Sequence, residues 1–202
     1  MYKIYLASKS PRRKELMTQI GYEFDILVSE RDEVISGTEP EDVVKELSMQ
    51  KAYEIERILL ERSGGKLLEA HEGYDGVVII GADTVVSYEG AILGKPADED
   101  DAYRMLSMIQ GRTHKVSTGV AIVVVNSTER KVYNFAETTD VHMYEMSDED
   151  IREYISTGEG VDKAGSYAIQ GIGAKYIKGI AGDYNNVVGL PIGRIYQTLK
   201  LL

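Results

Sequence analysis

The sequence predicts an α/β fold, and three stretches carry that prediction. Residues 2–21 (YKIYLASKSPRRKELMTQIG) read as a short buried strand, a tight turn and a helix. Residues 77–82 (VVIIGA) have the length and apolarity of a central strand. Two long strand patterns at 116–125 and 131–144 flank a polar 126–130 segment and read as a hairpin. Helical periodicities fall between these strands, as an alternating architecture requires.

Composition sets the outer limits. A chain of 202 residues can build one good core or two small lobes sharing a cleft. Its formal net charge of −10 argues against a non-specific nucleic-acid duplex surface but permits a local basic pocket. The absence of cysteine excludes disulfides, thiolate chemistry and sulfur-ligated zinc. There is no signal-peptide core at the N-terminus, and the longest apolar runs are of strand length, so a soluble, cytoplasmic protein with no membrane partner is expected.

In the first unit, Ser10 is placed to cap a helix with Pro11 at its first position, and Gly21 suits the helix end. The turn aims backbone N–H groups, the hydroxyls of Ser8 and Ser10, and the guanidinium groups of Arg12 and Arg13 at one small volume that suits a phosphate. Cations at a helix N-terminus are otherwise unfavourable, so the two arginines either answer an anion or form a solvated first turn at small cost. Phe24, Ile26 and Val28 alternate as a second strand would, and a polar loop over 29–38 follows, containing Asp32 and Glu33.

A long helix is predicted over 40–62, with Val43, Val44, Leu47, Ile55, Ile58 and Leu59 as its apolar stripe. Lys51 lies midway between Leu47 and Ile55 on that face. Its ammonium either snorkels out or reaches into an anion-holding cleft. After a glycine-containing connection over 63–76, the VVIIGA strand is expected to put Asp83 and Thr84 near its carboxyl end, the edge where ligands gather in open α/β sheets. Gly94-Lys95-Pro96 should bring a second lysine back beside Asp83, as a structural pair or as part of a charged site. Asp98 caps a helix ending near Gly111, and Ser147 opens another with a capping-box pattern. Nine of the 36 residues from 158 to 193 are glycine, which indicates close backbone approaches and turns. A final helix begins near Pro191 and packs through Ile192, Ile195, Tyr196 and Leu199.

Six segments together resemble the Maf family of nucleoside triphosphate pyrophosphatases along essentially the whole chain. They are SKSPRRKEL at 8–16, GADTVV at 81–86, LGKP at 93–96, GRTHKVSTGV at 111–120, DKAGSYAIQGIGAKY at 162–176 and GDYNNVVGLP at 182–191. The resemblance implies one domain over 1–202, an elongated mixed sheet similar in plan to the inosine triphosphate pyrophosphatase group, and a deep cleft between two lobes. It implies hydrolysis of a nucleoside triphosphate between its α and β phosphates, with Mg²⁺ or Mn²⁺. The family's proton acceptor falls on Asp83, and its phosphate-contacting residues fall on Ser8, Arg13, Lys51 and Lys95. Arg12, Thr84 and Gln170 match the dTTP/UTP-preferring branch.

Asp83 and Glu33 are the expected metal ligands, and the 162–173 loop, with Asp162, Lys163 and Gln170, should read the base, on which Tyr167 or Tyr176 stacks. Two departures stand out. Gly160 replaces the family's proline and should loosen that loop, and Ala168 replaces a glycine beside Gln170. The sequence does not fix the oligomeric state: a homodimer is common for such enzymes and is the commonest soluble assembly, but no stretch names an interface. The rival readings are a pyrophosphatase of non-canonical or methylated purine nucleotides and a non-catalytic nucleotide-binding regulator of cell division.

Overall fold

The computed structural model describes residues 1–202. In chain order the elements are β1 (Lys3–Ala7), α1 (Pro11–Gln19), β2 (Asp25–Ile26), α2 (Pro40–Arg62), β3 (Gly76–Tyr88), β4 (Ala91–Leu93), α3 (Glu99–Ile109), β5 (Thr113–Asn126), β6 (Arg130–Met143), α4 (Asp148–Ser156), β7 (Ile177–Ala181), α5 (Tyr184–Val188) and α6 (Ile192–Leu199). The strands form one mixed sheet in the order β2-β1-β3-β5-β6-β7, with β4 also paired to β3. The β2-β1-β3 portion is parallel and the remaining pairs are antiparallel.

Local chemistry explains the helix starts. Ser10 caps α1 by accepting from the Arg13 N–H, with Pro11 just inside. Asp98 caps α3 through the Asp101 N–H, and Ser147 and Asp150 complete a reciprocal capping box on α4. α2 begins at Pro40 behind Glu39, which makes no side-chain cap; Glu41 and Asp42 in its first turn suit the helix dipole instead.

Side-chain alternation along β3 assigns its two faces. Val77 and Ile79 pack beneath α2 with Ala52, Ile55 and Leu59. Val78, Ile80 and Ala82 face the opposite way, into a core shared with Leu16 and Met17 of α1 and Ile192, Ile195 and Leu199 of α6. Farther along that second face, Val86 and Val116 enter a separate core with α3 and α4. Between the two cores lies a cross-strand pair of hydroxyl residues, Thr84 and Thr118.

Three expectations are corrected. The second strand is only two residues long, because the chain after Ile26 turns away from β1 after a single further hydrogen bond, Leu27 N–H to the Leu6 carbonyl. Asp83 and Thr84 do not end their strand: β5 pairs with β3 as far as Ser87, so β3 continues past both residues. Tyr196 is 41 % exposed, its ring meeting Tyr22 and the Lys200 ammonium at the surface of α6.

Candidate active site

On one edge of β3, β1 pairs with Val77–Gly81 and β4 pairs with Val86–Tyr88, leaving the stretch 82–85 uncovered between them. A cavity of about 1130 Å³ opens beside that gap. Its walls come from the β1–α1 turn, residues 28–34, one side of α2, residues 83–86, Gly94-Lys95, the 162–170 segment and residues 187–189. Eight lysine and arginine side chains line it against five carboxylates, a local positive excess in a chain of net charge −10. Such a cavity favours a polyanion.

Asp83 stands on the face of β3 that carries α2. Lys51 reaches it across the sheet–helix interface and ion-pairs with its Oδ1. The same ammonium lies 3.0 Å from Glu33 Oε1. Lys51 therefore points into the cavity, and the two carboxylates expected to bind metal converge on one cationic point from separate segments. No group of three or more His, Cys, Asp or Glu side chains is arranged to hold a metal ion, and this pair supplies only the one or two carboxylates that a hard divalent ion completes with phosphate oxygens. Lys95 also lines the cavity, but it is exposed and forms no pair with Asp83; Lys51 takes that place.

Arg13 occupies the other face. Its Nε donates to the Gly189 carbonyl at 2.8 Å, Nη1 to the Ala82 carbonyl at 2.9 Å and to Ser8 Oγ at 3.3 Å, and Nη2 to Thr84 Oγ1 at 2.9 Å. Protein acceptors thus answer much of the charge that sequence reasoning assigned to an anion. The Ala82 carbonyl belongs to the uncovered stretch of β3, and Gly189 follows the end of α5, where carbonyls lack helical partners. Arg13 ties the β1–α1 turn, β3 and the residue after α5 together beside the cavity, with buried Ser8 next to it. Burial lowers the Arg13 pKa, and nearby Asp83 opposes that shift.

The hydroxyl of Thr84 is committed twice. It accepts from Arg13 and lies 2.9 Å from Thr118 Oγ1, which donates to the Asn186 carbonyl at 3.0 Å. Because Thr118 spends its hydrogen on Asn186, Thr84 must donate to Thr118, and a directed chain runs from Arg13 to Asn186. Thr118→Val would take the acceptor from the Thr84 hydroxyl and one of two donors from the Asn186 carbonyl, which keeps the Gly189 N–H, at a fully buried position. It should destabilise the fold by about 1–3 kcal/mol, and Thr118→Ser should restore most of that; chemical denaturation of both variants reads the difference.

Arg12 Nη1 lies 3.9 Å from Asp162 Oδ2, and Lys163 pairs with the same carboxylate. Its hydrogen bond to Lys163, aided by both positive charges, holds the Asp162 carboxyl below its ordinary pKa. These three residues and Gln170 all line the cavity.

Gly160 does not loosen this segment. A Cβ there would sit 2.2 Å from the Ser166 carbonyl oxygen, so the missing side chain permits a close backbone approach. Ala168 lines the cavity, and its N–H donates to the Tyr154 hydroxyl. Tyr167 also lines the cavity, with its hydroxyl 2.7 Å from Nε2 of the buried His114. Burial, then the neighbouring His142, pulls the His114 pKa down to about 4, so this imidazole is neutral at pH 7. Tyr176 packs edge-on against Tyr154 outside the cavity, which removes it as a stacking surface.

Sequence reasoning missed Glu159, whose carboxylate accepts from the N–H groups of Ile172 and Gly173 and from the Tyr154 hydroxyl. Those bonds fix the turn following Gln170. The only available signal was an acid in a glycine-rich segment that leaves many N–H groups without regular partners.

A family model described as Maf-like protein matches residues 3–202. The chain belongs to the Maf family. Among curated Maf relatives, the dTTP/UTP pyrophosphatase of Agathobacter rectalis is 52 % identical over 205 aligned residues, covering 100 % of this chain and 98 % of that protein. The protein of the same name from Lachnoclostridium phytofermentans is 43 % identical, covering 99 % and 95 %. That from Thermoanaerobacter sp. is 44 % identical, covering 98 % and 95 %. In this Maf chain, no helix is long and apolar enough to cross a membrane.

Proposed function

We propose that the protein is a divalent-metal-dependent nucleoside triphosphate pyrophosphatase that prefers dTTP and UTP and acts in the cytoplasm. The convergence of Lys51, Glu33 and Asp83 in a cavity of net positive lining carries this reading. Full-length similarity to proteins named dTTP/UTP pyrophosphatase supports the substrate class. The cavity is the cleft of a single domain over 1–202, and the two cores divided by the Thr84–Thr118 pair are its two lobes.

In this mechanism the triphosphate lies along Ser8, Lys51 and Lys95. Lys95 is free to approach a phosphate, and Lys51 needs only to turn from its carboxylates. Arg13 holds the surrounding backbone in place, so charge stabilisation is preorganised when the substrate arrives. Glu33 and Asp83 would hold Mg²⁺ or Mn²⁺, which supplies charge neutralisation at phosphate oxygens and a more acidic water. With Lys51 turned to the phosphates, the Asp83 carboxylate is released to orient the attacking water and take its proton. Water oxygen bonds to the α-phosphorus, the bond from that phosphorus to the bridging oxygen breaks, and pyrophosphate leaves with the electron pair. Gln170, Asp162, Lys163 and Arg12 surround the base end, with Tyr167 as its wall.

Pyrophosphate release from dTTP, UTP, CTP, GTP, ATP, ITP and 7-methyl-GTP, in Mg²⁺, Mn²⁺ and EDTA, tests the proposal. Metal-dependent release should be strongest with dTTP and UTP. A preference for modified purines would overturn the base assignment, and no release from any nucleotide would overturn the enzyme assignment.

A further inference from the structure

Residues 31–37 have no regular secondary structure, yet they follow a defined path along α2. Glu46 accepts from the Ser36 N–H at 2.9 Å, the Ser36 hydroxyl at 2.8 Å and the Gly37 N–H at 3.3 Å. One turn on, Gln50 accepts from the Val34 N–H at 3.0 Å and donates to the Val34 carbonyl at 2.5 Å. Another turn on, Glu54 meets Arg31 at 3.4 Å. Helix positions 46, 50 and 54 share one side of α2, and they engage residues 36–37, 34 and 31 in reverse order. The segment is therefore an antiparallel strap fastened to a single helical stripe.

Apolar packing contributes little to this fastening. Val34 is 66 % exposed and Ile35 57 % exposed, so the strap turns its apolar side chains outward. The polar contacts set its position. Glu33 lies immediately beside the residue that Gln50 grips at both backbone groups, and its carboxylate meets Lys51, the helix neighbour of Gln50. A triphosphate entering the cavity would repel a carboxylate on a free loop, so the strap needs fastening, and Gln50 on the cavity wall supplies it.

We propose that Gln50 is a positioning residue, fixing the strap so that Glu33 stays at the Lys51–Asp83 cluster, with Glu46 holding the strap's far end. The inference rests on the metal-dependent pyrophosphatase reading for its catalytic consequence. Outer residues that orient such ligands change affinity or activity by about 10–100-fold when lost. A purely structural strap would make the effect of Gln50→Ala independent of what residue 33 is; a positioning role makes the two changes non-additive.

The test is a double-mutant cycle of Gln50→Ala and Glu33→Gln. It is read both as kcat/KM for dTTP and as affinity for non-hydrolysable α,β-imido-dTTP in Mg²⁺. Hydrogen exchange at the Val34 and Ser36 amides reports strap release. Gln50→Ala should free the Val34 amide, leave Tm unchanged and reduce kcat/KM and affinity about 10-fold or more with Glu33 present. In the Glu33→Gln background it should change either quantity less than twofold. Equal losses in both backgrounds, or a freed Val34 amide with undiminished activity and affinity, would overturn the inference. The affinity reading requires no turnover, so a wild type that released no pyrophosphate would sink the pyrophosphatase reading while the cycle still judged the strap.

Discussion

Asp83→Asn should cut pyrophosphate release from dTTP by about 10²–10⁴-fold, the usual range for removing a positioned acid–base group, while leaving the fold intact. The substitution preserves size and lets the amide oxygen still accept from Lys51, so the sheet–helix contact keeps its geometry. What is lost is the negative charge that holds one side of the Lys51 ammonium and the basic oxygen aimed at water. Lys51 keeps Glu33 as a partner and should remain ordered. The measurement is single-turnover release at saturating metal and nucleotide, beside thermal unfolding and binding of α,β-imido-dTTP. A variant that binds the analogue, unfolds like the wild type and has lost the chemical step fits Asp83 as the base. A variant retaining most of its rate would take Asp83 out of that role and leave it as a partner for Lys51 alone.

The parts of this site that the sequence makes legible rest on local rules. Pro40 and the periodic apolar stripe mark α2 to both ends, and the same periodicity places Lys51 over the sheet. Ser10 and Pro11 mark the start of α1. Long-range partners follow no local rule. Arg13 looks like an anion ligand from its place at a helix N-terminus, but two of its acceptors are the carbonyls of Ala82 and Gly189, far along the chain. The position of Asp83 within its strand depends on how far β5 continues to pair, which the VVIIGA run does not encode. The roles of Glu46 and Gln50 are not marked in the sequence, because their partners are backbone groups of a loop, and backbone groups carry no sequence signature. The Gly160 expectation failed for a similar reason: flexibility is a property of glycine in an open chain, whereas here the Ser166 carbonyl fills the space of its missing Cβ.

Gly119→Ala should have the largest effect on stability of any single-methyl change near the site. Gly119 is the cross-strand partner of Asp83, so both point to the α2 side of the sheet. A Cβ at Gly119 would stand 2.1 Å from the Val44 carbonyl oxygen and 2.2 Å from its carbon, against an ordinary contact of 3.4–4 Å. These are backbone atoms inside a helix, so no side-chain rotation relieves the clash and α2 must lift or slide. A Cβ added at Gly81 would likewise stand 2.3 Å from the Ser48 carbonyl oxygen, so α2 approaches the sheet closely at a second point and has little freedom to tilt. Overpacking of this kind costs about 1–3 kcal/mol or more, which lowers Tm by roughly 2–12 °C in a chain of this size. Because Lys51 rides on the same helix, the displacement also pulls its ammonium from Asp83, and misplacement by about 1 Å costs roughly 10²-fold in rate. Gly193→Ala in α6 is the control: nothing stands within 4 Å of that position, and alanine favours a helix. Calorimetry and pyrophosphate release should move together for Gly119→Ala and stay level or improve for Gly193→Ala. A Gly119→Ala protein as stable and active as the wild type would mean that α2 does not rest on the sheet at this point, and that the reach of Lys51 to Asp83 is set elsewhere.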